Sequence, residues 1–288
     1  MDYSNIKNKK NMKFDIKYLT GIAVILFSTG MNAQFYVGVQ SGIANIQSDV
    51  KGVANSREIG GALKAGYIYS LTKSFGVGSG IEFSQYKHKA SLNNRSTTLT
   101  NFEVDAAGSA FSYSVTTGDY KEYQTLKAIQ IPLFLQYKLI LDKDIDLNFR
   151  AGVKYFLPVS YKIKTSATSV KGTGYYPDVN LLIDDLPKYG FGNQTSYTAS
   201  GEYNTKGVLM STFELGFTFQ IMKKSSLYTA IFLDAGYGTI LDQEKNQSYV
   251  GYNPTSITDR KANGLYSIDK DATIKPFSFG LTLGWNFE

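Results

Sequence analysis

The chain has 288 residues, 43% of them hydrophobic, 14% aromatic and 19% charged, with 27 Gly, one His, one Trp and no Cys. This excludes a disulfide scaffold, any Cys-based zinc, thiol or iron–sulfur site, chemistry built on clustered histidines, and a disordered chain. The net charge of +6 is uneven: residues 1–33 carry five Lys and two Asp, so the rest holds only +3, without the concentrated basic face that nucleic-acid binding needs.

The first 33 residues read as a cleaved export signal. Lys7, Lys9, Lys10, Lys13 and Lys17 precede the short apolar run Gly21–Phe27, and small or polar residues lead to Met31-Asn32-Ala33. Met12 offers a second start. The apolar run falls far short of the ~20 residues a spanning helix requires, and no Cys follows to carry a lipid anchor. Cleavage after Ala33 leaves residues 34–288 as one domain outside the cytoplasm.

Alternation with a period of two then recurs along the body and predicts eight strands, at about 35–44, 58–71, 75–89, 123–140, 145–162, 207–222, 227–239 and 273–287. Short connections (72–74, 141–144, 223–226) alternate with long ones (45–57, 90–122, 163–206, 240–272). An even strand count with short turns at one end and long loops at the other matches an eight-stranded antiparallel outer-membrane barrel, with the long loops outside the cell.

Parity sharpens this. Odd positions are apolar, as in Leu63, Tyr67, Phe83, Leu133, Leu135, Phe149, Val153, Phe213, Phe217, Ile231, Phe279 and Leu281. Even positions carry Gly and polar groups, among them Gly38, Gln40, Gly66, Gly78, Gly80, Gln136, Gly152, Gly216 and Gly280. Away from the strand ends only Lys127 breaks the odd face, and a lipid-facing Lys or Arg at the bilayer midplane costs ~2–4 kcal/mol. Gly on the even face leaves room for bulky neighbours in a narrow lumen. Tyr69, Tyr137, Phe219, Trp285 and Phe287 fall near the short-turn ends, where an interfacial aromatic girdle belongs. A soluble barrel with its apolar face inward would show the same period. The export signal, the aromatic stripe and the sparse charge on the even face favour the membrane.

Three segments carry a family resemblance. Leu126–Leu139 reads Leu-Lys-Ala-Ile-Gln-Ile-Pro-Leu-Phe-Leu-Gln-Tyr-Lys-Leu, the first strand is the Gly-rich run from Phe35 to Gly42, and the chain closes with Gly-Leu-Thr-Leu-Gly-Trp at Trp285. Together they resemble the PorT-like outer-membrane β-barrel proteins of Bacteroidota, whose architecture is the eight-stranded barrel of the OmpA type. The resemblance covers residues 34–288. It implies the cell outer membrane as location, with the lipid bilayer and its lipopolysaccharide as surroundings. It also implies insertion by the barrel-assembly machinery, which reads a last strand such as Ser278, Gly280, Leu283 and Trp285 here. With Phe287 closing the last strand, no periplasmic domain is expected.

Chemistry is sparse. Counted from their turns, Lys64, Glu82, Arg150, Lys154, Glu214 and Asp234 reach similar heights on the even face and should meet in the lumen. Three charges of each sign can plug an eight-stranded barrel or form a gate whose pairs rearrange. Glu82 or Glu214 is expected to pair with Lys64 or Arg150. His88 shares its face with Glu82, Ser84 and Tyr86, but Ala90 stands where a lipid-deacylating His-x-Ser would need Ser, so it reads as a rim residue. Asp142, Asp144 and Asp146 read as a solvated turn rather than a calcium loop. No catalytic, cofactor-binding or metal set emerges.

Loop 90–122, rich in Ser, Thr and Asn, is expected to be mobile. Loop 163–206 carries Tyr175, Tyr176, Tyr189, Phe191, Tyr197 and Tyr203 with Leu181-Leu182-Ile183, either as a cap or as a surface for an extracellular ligand. The sequence therefore points to a non-enzymatic barrel, structural or a narrow gated pore, with a surface-binding module acting through its loops as the alternative.

Overall fold

The computed structural model describes residues 33–92 and 96–287; the expected export signal lies outside them. Twelve strands form one antiparallel sheet: β1 (Ala33–Ser48), β2 (Val53–Ser70), β3 (Phe75–Leu92), β4 (Ser96–Val104), β5 (Ala110–Gly118), β6 (Lys121–Asp142), β7 (Ile145–Tyr176), β8 (Leu181–Ile183), β9 (Gly192–Glu202), β10 (Val208–Met222), β11 (Ser225–Gly236) and β12 (Ile274–Phe287). Eight of them run in the order β10-β11-β12-β1-β2-β3-β6-β7, and β7 pairs back with β10 to close the barrel. Closure removes every edge within the barrel wall.

The turns at one end are short for local reasons. Thr72 Oγ1 accepts the N–H groups of Ser74 and Phe75 at 3.2 and 2.9 Å, and Asp142 Oδ1 accepts that of Lys143 at 2.7 Å. Following paired residues round the wall from Lys64 leads through Glu82, Gln130 and Phe156 to Val208. In the other direction it leads through Gly38, Gly284 and Tyr228 to Thr218, ten residues further along β10. This stagger of ten tilts the strands and sets which side chains share a level in the lumen.

Parity holds to about the middle of β7. There the register shifts opposite Lys127 and Ala128, next to Pro158, which has no N–H for the ladder. Beyond it the faces exchange: Tyr161, Ile163 and Thr165 are buried while Lys162 and Lys164 are exposed. A one-residue slip moves every following side chain to the other face.

Two expectations are corrected above the barrel. Strand β7 continues to Tyr176 instead of stopping near 162. Loop 90–122 contains the β4–β5 hairpin, and β5 pairs with that extended strand. The hairpin is closed by Asp105, whose Oδ1 accepts the N–H groups of Ala107 and Ser109 at 2.9 Å each, with Gly108 at φ +88°. β9 pairs along the other edge of β7. The result is a folded platform with its own aromatic core. Phe111 stacks on Tyr176 at 5.1 Å and meets Phe191 and Tyr252 edge-on at 5.4 and 4.9 Å.

Candidate functional site

The outer wall is apolar. Leu63, Phe83, Leu133, Leu135, Phe149, Phe213, Phe217 and Leu281 all stand exposed on it, Leu63 at 62%. A contiguous belt of this kind, running round a closed wall, belongs against lipid tails. Tyr69, Tyr137 and Phe287 are exposed near the turn end, with Phe219 and Trp285 half-buried beside them. Ring contacts knit this level together, Phe75 to Tyr137 at 5.0 Å and Phe35 to Phe287 at 6.0 Å.

The lumen holds the six charges. Glu214 Oε1 receives Lys64 Nζ at 2.5 Å and Gln40 Nε2 at 3.0 Å. Its Oε2 receives Arg150 Nη1 at 3.3 Å and the Tyr228 hydroxyl at 3.1 Å. Lys154 Nζ donates to Glu82 Oε2 at 2.8 Å and to Asp234 Oδ2 at 2.9 Å. All six side chains are buried. Glu214 and Arg150 are register partners on β10 and β7, whereas Lys64 reaches Glu214 from β2 across the lumen. Glu82 pairs with Lys154 and Glu214 with both Lys64 and Arg150, a division set by the stagger.

Gln136, read on the even face, and three aromatics that the sequence reading passed over complete the layer. Arg150 donates from Nε to Gln136 Oε1 at 2.8 Å and lies 3.9 Å over the Tyr228 ring, with Phe134 and Tyr36 at 5.4 and 5.8 Å. These aromatics fit because facing positions are glycine. A Cβ on Gly66 or Gly80 would meet the Tyr36 hydroxyl, and one on Gly78 the Phe134 ring. The signal was present as aromatic residues at even positions opposite glycines.

Two small voids lie beside this layer, about 10 Å³ against Lys64, Glu82 and Lys154 and about 20 Å³ against Gln40, Gln130 and Asp234. Each holds about one or two waters at most, so the side chains themselves fill most of the lumen at this level. Below it, a polar funnel of about 290 Å³ opens to the turn end, with Gln136, Asn148, Thr218 and Asn286 on its walls and Arg150 at its top. Above it sits a second, apolar seal that includes Ile46, Leu126, Phe156, Tyr161, Met210, Ile240 and Tyr266.

The chain is a β-barrel of the outer-membrane type. No protein-family model matches it, and no curated protein does either. Among solved structures it is similar to the Neisserial surface protein NspA (9% identity, 88% of this chain and 96% of that one, TM-score 0.34). It is also similar to OprG of Pseudomonas aeruginosa (12%, 90% and 98%, 0.37) and to Ail of Yersinia pestis (10%, 88% and 99%, 0.28). The assignment rests on the closed strand order and the exposed belt.

A folded cap covers the top. Glu122, fully buried on β6, accepts the Tyr203 hydroxyl and Gln124 Nε2 at 2.7 Å each and the Leu265 N–H at 2.9 Å, which ties the connection between β11 and β12 to the barrel rim. Burial pushes its carboxyl above the usual range. His88 is also buried, with Nε2 3.0 Å from Asn55 Oδ1, which in turn accepts the Tyr266 hydroxyl at 3.0 Å. Burial pulls its pKa down to about 4, against the opposing charge of Glu58. Asp142, Asp144 and Asp146 stay at the second turn, and the described residues contain no cluster of metal-ligating side chains.

A pH response follows from His88. Its folded pKa is depressed, so the unfolded cap binds the proton more readily. The His88 contribution to cap stability is fully present above about pH 6.5 and is lost as pH falls towards 4, by at most about 3 kcal/mol. Glu122 acts in the opposite sense, losing stability as pH rises through its raised pKa. The comparison of wild type with His88→Gln isolates the histidine. Hydrogen exchange at the Leu265 and Tyr266 amides should accelerate about 100-fold more in wild type between pH 7 and 4. Equal acceleration in the two proteins refutes the assignment.

Proposed function

We propose that this chain is an exported, non-enzymatic outer-membrane barrel that works as a surface-binding module, its lumen sealed and its extracellular platform the working face. The sealed lumen carries this reading. A charged layer with voids of only about 10 and 20 Å³ beside it lies beneath an apolar one, and both would have to open before an ion could pass. The platform is ordered rather than loose, and it presents Phe102, Val104, Tyr175, Leu181, Leu182 and Tyr189 to solvent while Phe191, Tyr197 and Tyr203 hold its interior. PorT-like kinship, a signal peptide over 1–33, a single barrel domain over 34–288 and assembly by the barrel-insertion machinery belong to the same reading.

The second reading is a narrow gated pore. The funnel that rises to Arg150 from the turn end favours it, since a small shift of the Arg150–Glu214 pair would lengthen that passage. Planar-bilayer recording of the refolded mature chain separates the two. The binding reading expects a silent bilayer, with folding confirmed by heat-modifiable gel migration. Discrete, reproducible conductance steps would replace it with the pore.

A further inference from the structure

The outer wall carries a one-sided cluster of lysines at the upper border of the apolar belt. Lys87 and Lys89 stand on β3, Lys127 on β6, and Lys162 and Lys164 on β7, all exposed. Register aligns them. Lys89, Tyr123 and Lys164 form one row, and Lys87, Thr125 and Lys162 the next; Lys127 lies one step lower beside Ser160. The exchange of faces along β7 is what turns Lys162 and Lys164 outward. Lys89 is matched by Glu58 at 2.6 Å. Lys87, Lys127, Lys162 and Lys164 form no ion pair among the described residues, and Glu202 is the acid placed beside Lys162 by register.

A second feature coincides with the cluster. Where β2 bulges between Arg57 and Gly61, the exposed Gly61 carries no side chain, and an open groove of about 660 Å³ lies on the outer wall. Leu63, Phe83 and Val159 make its apolar sides, and Lys87 and Lys127 border it. Higher up, Tyr123, Lys164 and Ser200 line a smaller recess of about 430 Å³. Apolar groove, then ammonium groups, then hydroxyls is the order in which a membrane glycolipid presents its acyl chains, its phosphates and its sugars.

We infer that this face of the barrel is a docking site for a phosphorylated glycolipid of the outer leaflet, lipopolysaccharide, with its phosphates on Lys87, Lys127, Lys162 and Lys164 and an acyl chain in the groove at Gly60 and Gly61. The inference rests on the reading of the chain as an outer-membrane barrel with its long connections outward. Charge complementarity selects the occupant: five lysines outnumber the neighbouring acids Glu58 and Glu202 at the level of the headgroups, and each lysine in excess contributes favourably to anionic lipid near the surface. The lysine stems extend the apolar belt while their heads stay in the polar layer.

The test uses the refolded chain in nanodiscs of phosphatidylcholine doped with bis-phosphorylated lipid A or with its dephosphorylated form. Lipid retained per barrel is counted by native mass spectrometry. Wild type is expected to retain the phosphorylated form at least about tenfold more than the variant K87Q/K127Q/K162Q/K164Q. A control with Lys73, Lys143, Lys223 and Lys224 replaced by Gln removes the same charge at the turn end and should retain it fully. Equal retention by wild type and the first variant, equal loss in the control, or equal retention of dephosphorylated lipid would each overturn the inference. Heat-modifiable migration is scored on every sample. A chain that folds into the disc but holds no phosphorylated lipid defeats the docking site alone, whereas a chain that never inserts defeats the barrel reading beneath it.

Discussion

Glu214→Leu is expected to lower barrel stability by about 3–5 kcal/mol, read as an earlier heat-modifiable transition. Glu214 accepts from Lys64, Arg150, Gln40 and Tyr228. Its loss leaves Arg150 buried among amides and aromatic rings, and leaves Lys64 with only Glu82, its register partner on β3, which is already bonded to Lys154. Glu214→Gln keeps an acceptor oxygen but not the charge, so it should fall between wild type and Leu. The double variant Lys64→Met/Glu214→Leu removes one stranded cation and should recover part of the loss, because a matched apolar pair costs less than an orphaned charge. Additive losses in the double-mutant cycle, within about 0.5 kcal/mol, would show that the two side chains are energetically independent despite their contact.

The same variants bear on function. If rearranging ion pairs opened a path, breaking the charged layer should produce conductance. The sealed reading expects Glu82→Gln and Glu214→Gln to remain silent, because Phe156, Tyr161, Met210 and Tyr266 still close the lumen above. Steps in either variant would return the gate to first place.

Much of the barrel was legible in the sequence because a closed wall between lipid and lumen imposes a strict period of two. Parity named the outward residues and brought six charges to one layer. It could not divide them into pairs, since partners across the lumen depend on a stagger of ten that no single strand records. Nor could it see that Tyr36, Phe134 and Tyr228 fill the lumen, because an inward aromatic at an even position looks like an exception until the facing glycines are known. The platform was missed for a different reason. Beyond the shift in β7 the inward face is odd as far as Ala167 and even again from Val170, so no single parity runs along the strand. Phe111, Tyr113, Val115 and Thr117 of β5 alternate plainly with exposed or half-exposed polar residues, yet the Ser and Thr content of the segment suggested a loop. Alternation between aromatic and hydroxyl residues was the readable signal there.

The second large effect concerns that platform. Arg260, buried in the connection between β11 and β12, donates from Nη1 to the Val170 carbonyl at 2.9 Å and from Nη2 to the carbonyls of Gly190 and Gly192 at 2.9 and 3.0 Å. One guanidinium thus joins the upper part of β7 to the turn that carries Tyr189 and Phe191. Both glycines have positive φ, which glycine adopts without strain, and the Arg260 guanidinium donates to the carbonyl of each. Arg260→Met should cost about 3–5 kcal/mol locally, since charge-assisted bonds contribute about 1.5–3 kcal/mol each and do not add fully. Arg260→Lys should restore only part, because an ammonium cannot span three fixed acceptors as a planar fork does. The expected result is rapid proteolytic nicking between Leu186 and Gly192 with the heat-modifiable transition of the barrel unmoved. A barrel transition that falls in step with the nicking would mean that platform and barrel unfold as one unit, and the working face would then be inseparable from the wall that holds it.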